Sequence, residues 1–438
     1  MSATPPPCDY PKKVPLKRIE SIREKKMRQG LWTKYLSSKP RWSSRWKSSR
    51  ESNVNLIKRN FDDVCPLIYV AEIQIGTPSQ NLTVLMDTGS SDLWVTGTKC
   101  NNADCSHVYC KIPFLCRWFC DKSCCEGKNE DNPCANKHKF DVQASRSFKR
   151  MRKRFGLKYE TGSCSGFVGT DRIGGICVQN QVLGVADKLA SFFTELPADG
   201  ICGLGFAPLS AMDAIPPVQR MINQKLLEQP IFTIWMKQTD YYQTVGGQLT
   251  LGGFDSDHCS STCRWVPLTK ASYWEFYIDS VSIAPTMTSP QIVISTSMSN
   301  NKIKAISDTG TYLIFGPQDE VKRLAYSLGA KYDQENELTD HKEILPWYIY
   351  PFQYVVPCYY AYILPSVVVT IRGNAYPITA QTYVIPTPEG KCMLGFLGRE
   401  YNSSLDSGPA WILGDCWIRQ YCQVYDMWNK RIGFCRSL

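Results

Sequence analysis

The chain has 438 residues, enough for two or three domains and a sizeable buried core, and its 43% hydrophobic and 21% charged residues are ordinary for a soluble globular protein. The net charge of +10 is unevenly placed: residues 1–59 hold 16 Lys/Arg against four Asp/Glu, a balance of +12, and the other 379 residues balance to −2. That excludes a uniformly basic, nucleic-acid-seeking protein and leaves a near-neutral body behind a basic leader.

Met1 to Pro15 has no apolar run that could serve as a signal peptide, so either the signal is missing or the start is misassigned. Residues 14–36 are predicted as helix. Leu16, Ile19, Ile22, Met27, Leu31 and Tyr35 fall mostly three or four apart with Lys and Arg between them, and Gly30 splits the stretch. From Ser37 to Ser52 the composition is Ser/Arg/Trp-rich and irregular. Lys58-Arg59 follows, directly before the first strand-like run. A dibasic pair there reads as a processing site or as an ordinary solvated pair.

The rest reads mostly β. "LIYVAEIQIG", "NLTVLMDTG", "GSCSGFVGTDRIGGICV" and "GGQLTLGG" are short alternating or apolar runs set off by Gly, Pro and Asn. Helices are expected at Pro216–Leu227 and Pro317–Ala330, with Pro317 suited to a first turn. The fold class is therefore all-β with a few short helices. Twenty cysteines point to an oxidising compartment, and Asn81 and Asn402 open glycosylation sequons. Eight cysteines fall within Cys100–Cys134, which suggests a disulfide-stapled insert at about 105–155. Zinc is the second reading, but the spacings do not match common zinc modules. Arg146–Arg154 holds six Lys/Arg, read as a solvated loop, a docking patch for an acidic partner or a processing site. No run of about 20 apolar residues exists, so no membrane span is expected.

One pattern occurs twice. "VLMDTGSSDLWVTG" and "AISDTGTYLIFGP" both run apolar, Asp-Thr-Gly, hydroxyl, apolar, with Asp87 and Asp308 221 residues apart. Each is followed by an apolar-apolar-Gly run, Ile201-Cys202-Gly203 and Ile412-Leu413-Gly414, whose glycines lie 116 and 106 residues beyond the aspartates. The same order at similar separation implies two lobes of like topology, with the Asp turns meeting on a pseudo-two-fold axis. Two carboxylates side by side cannot both ionise easily, so one proton is shared. The charged member can take a proton from water while the protonated member polarises a carbonyl. That is general acid–base hydrolysis of an amide. No His-Glu-x-x-His and no Gly-x-Ser-x-Gly elbow after a strand offers a rival hydrolase.

These motifs resemble those of the pepsin-like aspartic endopeptidases over nearly all of residues 14–438, the cysteine-rich insert excepted. "CSGFVGTD" and "WILGDCWIRQYCQVYD" are similar in wording to nematode members. The resemblance implies a bilobal pepsin-like fold: a basic prosegment over 1–59, an N-terminal lobe over 60–242 and a C-terminal lobe over 243–438. It implies Asp87 and Asp308 as the catalytic pair, Ser90 and Thr311 as hydroxyl partners of their outer oxygens, and Thr88 and Thr309 as a cross-lobe grip. "LKYETGS" resembles the flap, with Tyr159 bonded to Trp94 and with Glu160 and Thr161 at its tip. Cys100–Cys105 and Cys358–Cys392 resemble two of the family's disulfides. The small-loop disulfide before the second Asp turn is missing, because "NNKIKAISDTG" has no Cys.

The same resemblance implies a zymogen whose leader lies across the cleft, with Arg45 or Lys47 as plug and cleavage after Lys58-Arg59. Expected partners are polypeptide substrates and the chain's own prosegment. No cofactor, metal or nucleic acid is expected, and the protein is expected to be a secreted or lysosomal monomer. Tyr312 departs from the usual small hydroxyl residue. It is expected to face the cleft, where the phenol reshapes a substrate pocket or packs on a neighbour. Glu160 is expected to add negative charge there and favour basic or polar substrate side chains. Cys202 is read as a buried free thiol. A catalytically silent, peptide- or partner-binding homologue is the alternative.

Overall fold

A computed structural model describes residues 13–20, 67–100, 133–159, 162–174, 178–190, 193, 196–237, 245–298, 302–332, 354–386, 391–401 and 408–438. The first half carries β1 (Lys13–Glu20), β2 (Leu67–Ile75), β3 (Gln80–Asp87), β4 (Leu93–Thr96), β5 (Lys149–Lys158), β6 (Ser163–Gly174), β7 (Val178–Leu189) and β8 (Gly200–Gly203). The second half begins around β9 (Ile231–Met236), β10 (Val245–Leu251) and β11 (Cys259–Pro267). These eleven strands join Tyr421–Asp426 and Arg431–Ser437 in one 13-stranded sheet. Its order is β11, 431–437, 421–426, β9, β10, β1, β2, β3, β8, β4, β7, β6, β5. A five-stranded and two four-stranded sheets complete the C-terminal half. The all-β, bilobal architecture is as expected.

The alternation seen in the sequence decides which faces are buried. Along β3, Leu82, Val84 and Met86 point into the core while Asn81 is exposed. Between the lobes, Trp274 is fully buried. Its Nε1 donates to the Leu204 carbonyl at 3.0 Å, and its ring packs against Phe206, Phe232 and Tyr425.

The sequence repeat becomes a structural repeat. β3 runs parallel to β8, with Asp87 opposite Gly203, and β4 returns antiparallel to β8. In the second lobe Ile303–Ser307 runs parallel to Trp411–Leu413, and Ile314–Pro317 returns antiparallel to it. The glycines of the apolar-apolar-Gly runs are required by these crossings. A Cβ on Gly203 would lie 2.4 Å from Ser91 backbone, and one on Gly414 2.1 Å from the Thr311 carbonyl oxygen.

Among the described residues the short α-helices are α1 (Pro217–Asn223), α2 (Gln318–Ser327), α3 (Ala380–Tyr383) and α4 (Asp415–Ile418). The first two fall within the predicted spans. Pro216 and Pro317 stand at their N-caps, one residue earlier than a first-turn proline. α1 stops short of Leu227 because the chain turns left-handed at Lys225 (φ 55°).

Residues 13–20 are not the expected helix. They form β1, clamped antiparallel between β2 and β10, with Leu16 buried. Pro15 disfavours a helix interior, and Val14 and Leu16 alternate with exposed neighbours. The open slot in the sheet overrides the helical spacing. Residues 21–36 lie outside the described residues.

Cys358 and Cys392 are bonded, as the resemblance implies. Cys100 is not bonded to Cys105; its partner is Cys134. The chain leaving the insert returns beside the chain entering it. Phe140 N–H donates to the Thr96 carbonyl at 2.8 Å, which brings the two cysteines to a Cα separation of 5.9 Å. Cys105 and the other cysteines of the insert lie outside the described residues. Two further disulfides, Cys259–Cys422 and Cys263–Cys435, tie β11 to the C-terminal hairpin.

Candidate active site

Asp87 ends β3 and Asp308 follows Ile303–Ser307, so each is delivered by a core strand into a tight turn. Backbone donors fix the inner oxygens: Gly89 N–H to Asp87 Oδ1 at 2.8 Å and Gly310 N–H to Asp308 Oδ1 at 2.9 Å. Hydroxyls fix the outer ones: Ser90 Oγ to Asp87 Oδ2 at 2.5 Å and Thr311 Oγ1 to Asp308 Oδ2 at 2.6 Å. The turns face each other closely. A Cβ on Gly89 would lie 2.5 Å from Asp308 Oδ1, and one on Gly310 2.4 Å from Asp87 Oδ1. Only glycine allows that approach.

Four buried bonds lock the turns together. Thr88 Oγ1 accepts from Thr309 N–H at 2.9 Å and donates to the Ser307 carbonyl at 2.9 Å. Thr309 Oγ1 accepts from Thr88 N–H at 2.9 Å and donates to the Met86 carbonyl at 2.6 Å. Burial first, and then the Asp308 charge, push the Asp87 carboxyl well above the usual carboxylate range, against the pull of Ser90 and Gly89. The arrangement therefore favours holding one proton between two oxygens.

Tyr159, at the end of the β5–β6 hairpin, accepts a 2.8 Å hydrogen bond from Trp94 Nε1. Phe193 packs edge-on against both rings. Glu160 and Thr161 lie outside the described residues, as do Lys58, Arg59 and Asn402.

The sequence model of the eukaryotic aspartyl protease family matches residues 68–437. The chain belongs to that family. It is 32% identical to aspartic protease 1 of Caenorhabditis elegans over 97% of this chain and 94% of the relative. It is 34% identical to aspartic protease 2 of Necator americanus (96% and 94%) and 33% identical to cathepsin E-B of Xenopus laevis (96% and 92%). The protein is an aspartic-type endopeptidase.

Tyr312 of this protease does not face the cleft as expected. It is buried, 2% exposed, and its OH accepts from Arg419 Nη2 at 3.3 Å, with the guanidinium 5.1 Å from the ring centre. The turn aims position 312 into the lobe, as it aims Ser91, whose Oγ donates to the Phe206 carbonyl at 2.7 Å. Arg419, also buried, spans to Cys416 Sγ at 3.3 Å. α4 thereby holds the Asp308 turn, and Asp415 N–H to the Thr311 carbonyl at 2.9 Å and Cys416 N–H to the Tyr312 carbonyl at 3.2 Å add to that hold. Cys202 is a buried free thiol behind Asp87, as expected, its pKa pushed up to about 12 by burial.

Two supporting residues escaped the sequence reading. Asp92 is buried and accepts from Ser210 Oγ at 2.5 Å and Ala211 N–H at 2.8 Å, fixing a segment beside the cleft. Arg419 was visible only within "LGDCWIRQY", and nothing in that run names Tyr312 as its partner.

Proposed function

We propose that this aspartic endopeptidase is catalytically competent, with Asp87 and Asp308 as the two catalytic carboxylates. The observation that carries the reading is the facing pair itself. Two buried carboxyls, each with one backbone N–H and one hydroxyl partner, sit on turns locked by Thr88 and Thr309. Water between them gives up a proton to the ionised carboxylate as its oxygen attacks the peptide carbonyl. The protonated carboxyl hydrogen-bonds the carbonyl oxygen, and the amine leaves after taking a proton from the pair. No covalent intermediate forms. Tyr159 closes the site from the hairpin, and the substrates are polypeptides cut between bulky apolar side chains, best at acid pH.

The protein is further proposed to be a zymogen. Residues 1–59 carry +12, and protonating carboxylates at low pH weakens the ion pairs that hold such a segment. Within β1, Lys13 is paired with Asp257. Cleavage after Lys58-Arg59 would make Asn60 the mature N-terminus, and the plug, Arg45 or Lys47, lies outside the described residues. Disulfides on both sides of the cleft support a secreted or lysosomal location. The test is acid activation followed by a peptide cleavage assay, with and without pepstatin, beside Asp308→Asn. The expected result is cleavage by wild type alone, blocked by pepstatin. Cleavage that survives both controls refutes the mechanism.

A further inference from the structure

A cavity of about 830 Å³ opens from the Gly89–Asp92 turn past Tyr159 to the outer ends of β5, β6 and β7. Its size suits a substrate side chain together with flanking backbone. The strand register sets its wall. Gly156 of β5 lies opposite Ser165 of β6, and Ser165 lies opposite Lys188 of β7. These three positions share one face of the sheet, and Lys158, two residues on from Gly156, shares it too. Ser163, opposite Lys158, adds a second hydroxyl. A Cβ on Gly156 would meet nothing within 4 Å, so the floor between the lysines is open.

The charge of this wall is one-sided. Lys158 and Lys188 are its cations and Asp92 is its one carboxylate among the described lining residues. Asp92 is turned inward and engaged by Ser210 and Ala211, and burial raises its pKa, so it takes up a proton early as pH falls. Asp187, next to Lys188, is held by Arg154 Nη2 through both oxygens, at 3.0 and 2.8 Å. Asp213, behind β5, is paired with Lys153 at 2.5 Å. The Tyr159 phenol and the Cys164 thiol, which also line the cavity, have pKa values raised by burial and stay neutral. Lys188 is exposed and has no ion pair among the described residues.

We propose that Lys188, with the Ser165 and Ser163 hydroxyls on the same face, makes this cavity a subsite for an acidic substrate side chain. The inference rests on the functional reading above and adds to it a charge preference at one substrate position. It runs against the expectation drawn from Glu160 at the hairpin tip, so the two can be told apart.

The test uses the acid-activated protein and apolar octapeptides in which one residue, walked along the positions flanking the scissile bond, is Glu, Gln or Lys. At one position kcat/KM should favour Glu over Gln by about fivefold at pH 5.5, the upper end for a solvent-exposed ion pair. The preference should vanish by pH 3, because a free Glu titrates near pH 4.3. Lys188→Glu should turn the preference at that position toward Lys. Hydrolysis with no Glu preference anywhere, or a Glu preference that Lys188→Glu leaves intact, overturns the inference and leaves the functional reading standing. A preference for Lys in the wild type overturns it in favour of Glu160. Failure to hydrolyse any peptide overturns both readings.

Discussion

Thr309→Val tests whether the cross-lobe grip holds the dyad. The change keeps the shape of the side chain and removes the hydroxyl. Two buried groups then lose their partner: the Thr88 N–H, now 2.9 Å from Oγ1, and the Met86 carbonyl, 2.6 Å from it. Thr88 is fully buried and Thr309 only 3% exposed, so water cannot replace the bond without opening the interface. A stranded buried polar group costs about 1–3 kcal/mol, so the pair should cost about 2–6 kcal/mol. Thr309→Ser is the control, since it keeps the hydroxyl and loses only a methyl, about 1 kcal/mol. The activity loss should exceed what the stability loss accounts for, because a displacement of about 1 Å between reacting groups costs on the order of a hundredfold in rate. Urea unfolding followed by tryptophan fluorescence, with kcat/KM on one apolar peptide, measures both. If Val and Ser variants unfold within about 0.5 kcal/mol of each other, the Thr309 hydroxyl does not fasten the lobes.

Two other outcomes follow from the site. The native state holds a proton at Asp87 above the pH at which an unfolded Asp, with pKa about 3.9, releases it. A raised native pKa means that stability falls as pH rises from about 4 toward the native value. Asp87→Asn removes that slope, so its melting temperature relative to wild type should climb between pH 4 and pH 7. A flat or falling difference contradicts the assignment. Tyr312→Phe removes a buried hydroxyl from Arg419 and nothing from the cleft. It should cost about 0.5–1.5 kcal/mol of stability and leave the peptide-library profile unchanged, whereas a changed profile would return position 312 to the substrate side.

Most of the site was legible because its chemistry is local. Asp-Thr-Gly followed by a hydroxyl residue specifies a turn, its carboxylate and the partner of that carboxylate within five residues. The repeat then supplies the second copy. The Trp94–Tyr159 bond crosses 65 residues and was accessible only through resemblance. What escaped was decided by direction or by long-range closure. Whether position 312 points outward depends on how α4 folds back over the turn, about a hundred residues later. Cys100 has a nearer cysteine in sequence, but the returning chain at Phe140 sets which one reaches it. Residues 13–20 carry a spacing compatible with a helix and an alternation compatible with a strand. A gap between β2 and β10 chooses between them.

That gap has a consequence for maturation. β1 pairs with β10 through Lys13–Lys17 and with β2 through Lys17–Glu20, and among the described residues it alone joins two blocks of the 13-stranded sheet. If the chain is cut after Arg59, covalent continuity ends but the ladder does not. A released strand would strip β10 of its partners at Lys13–Lys17 and β2 of its partners at Lys17–Glu20, leaving unpaired N–H and carbonyl groups on both. The cut protein must therefore either retain its severed strand as a bound peptide or thread a new one, and the chain beginning at Asn60 is the nearest candidate to fill the seam.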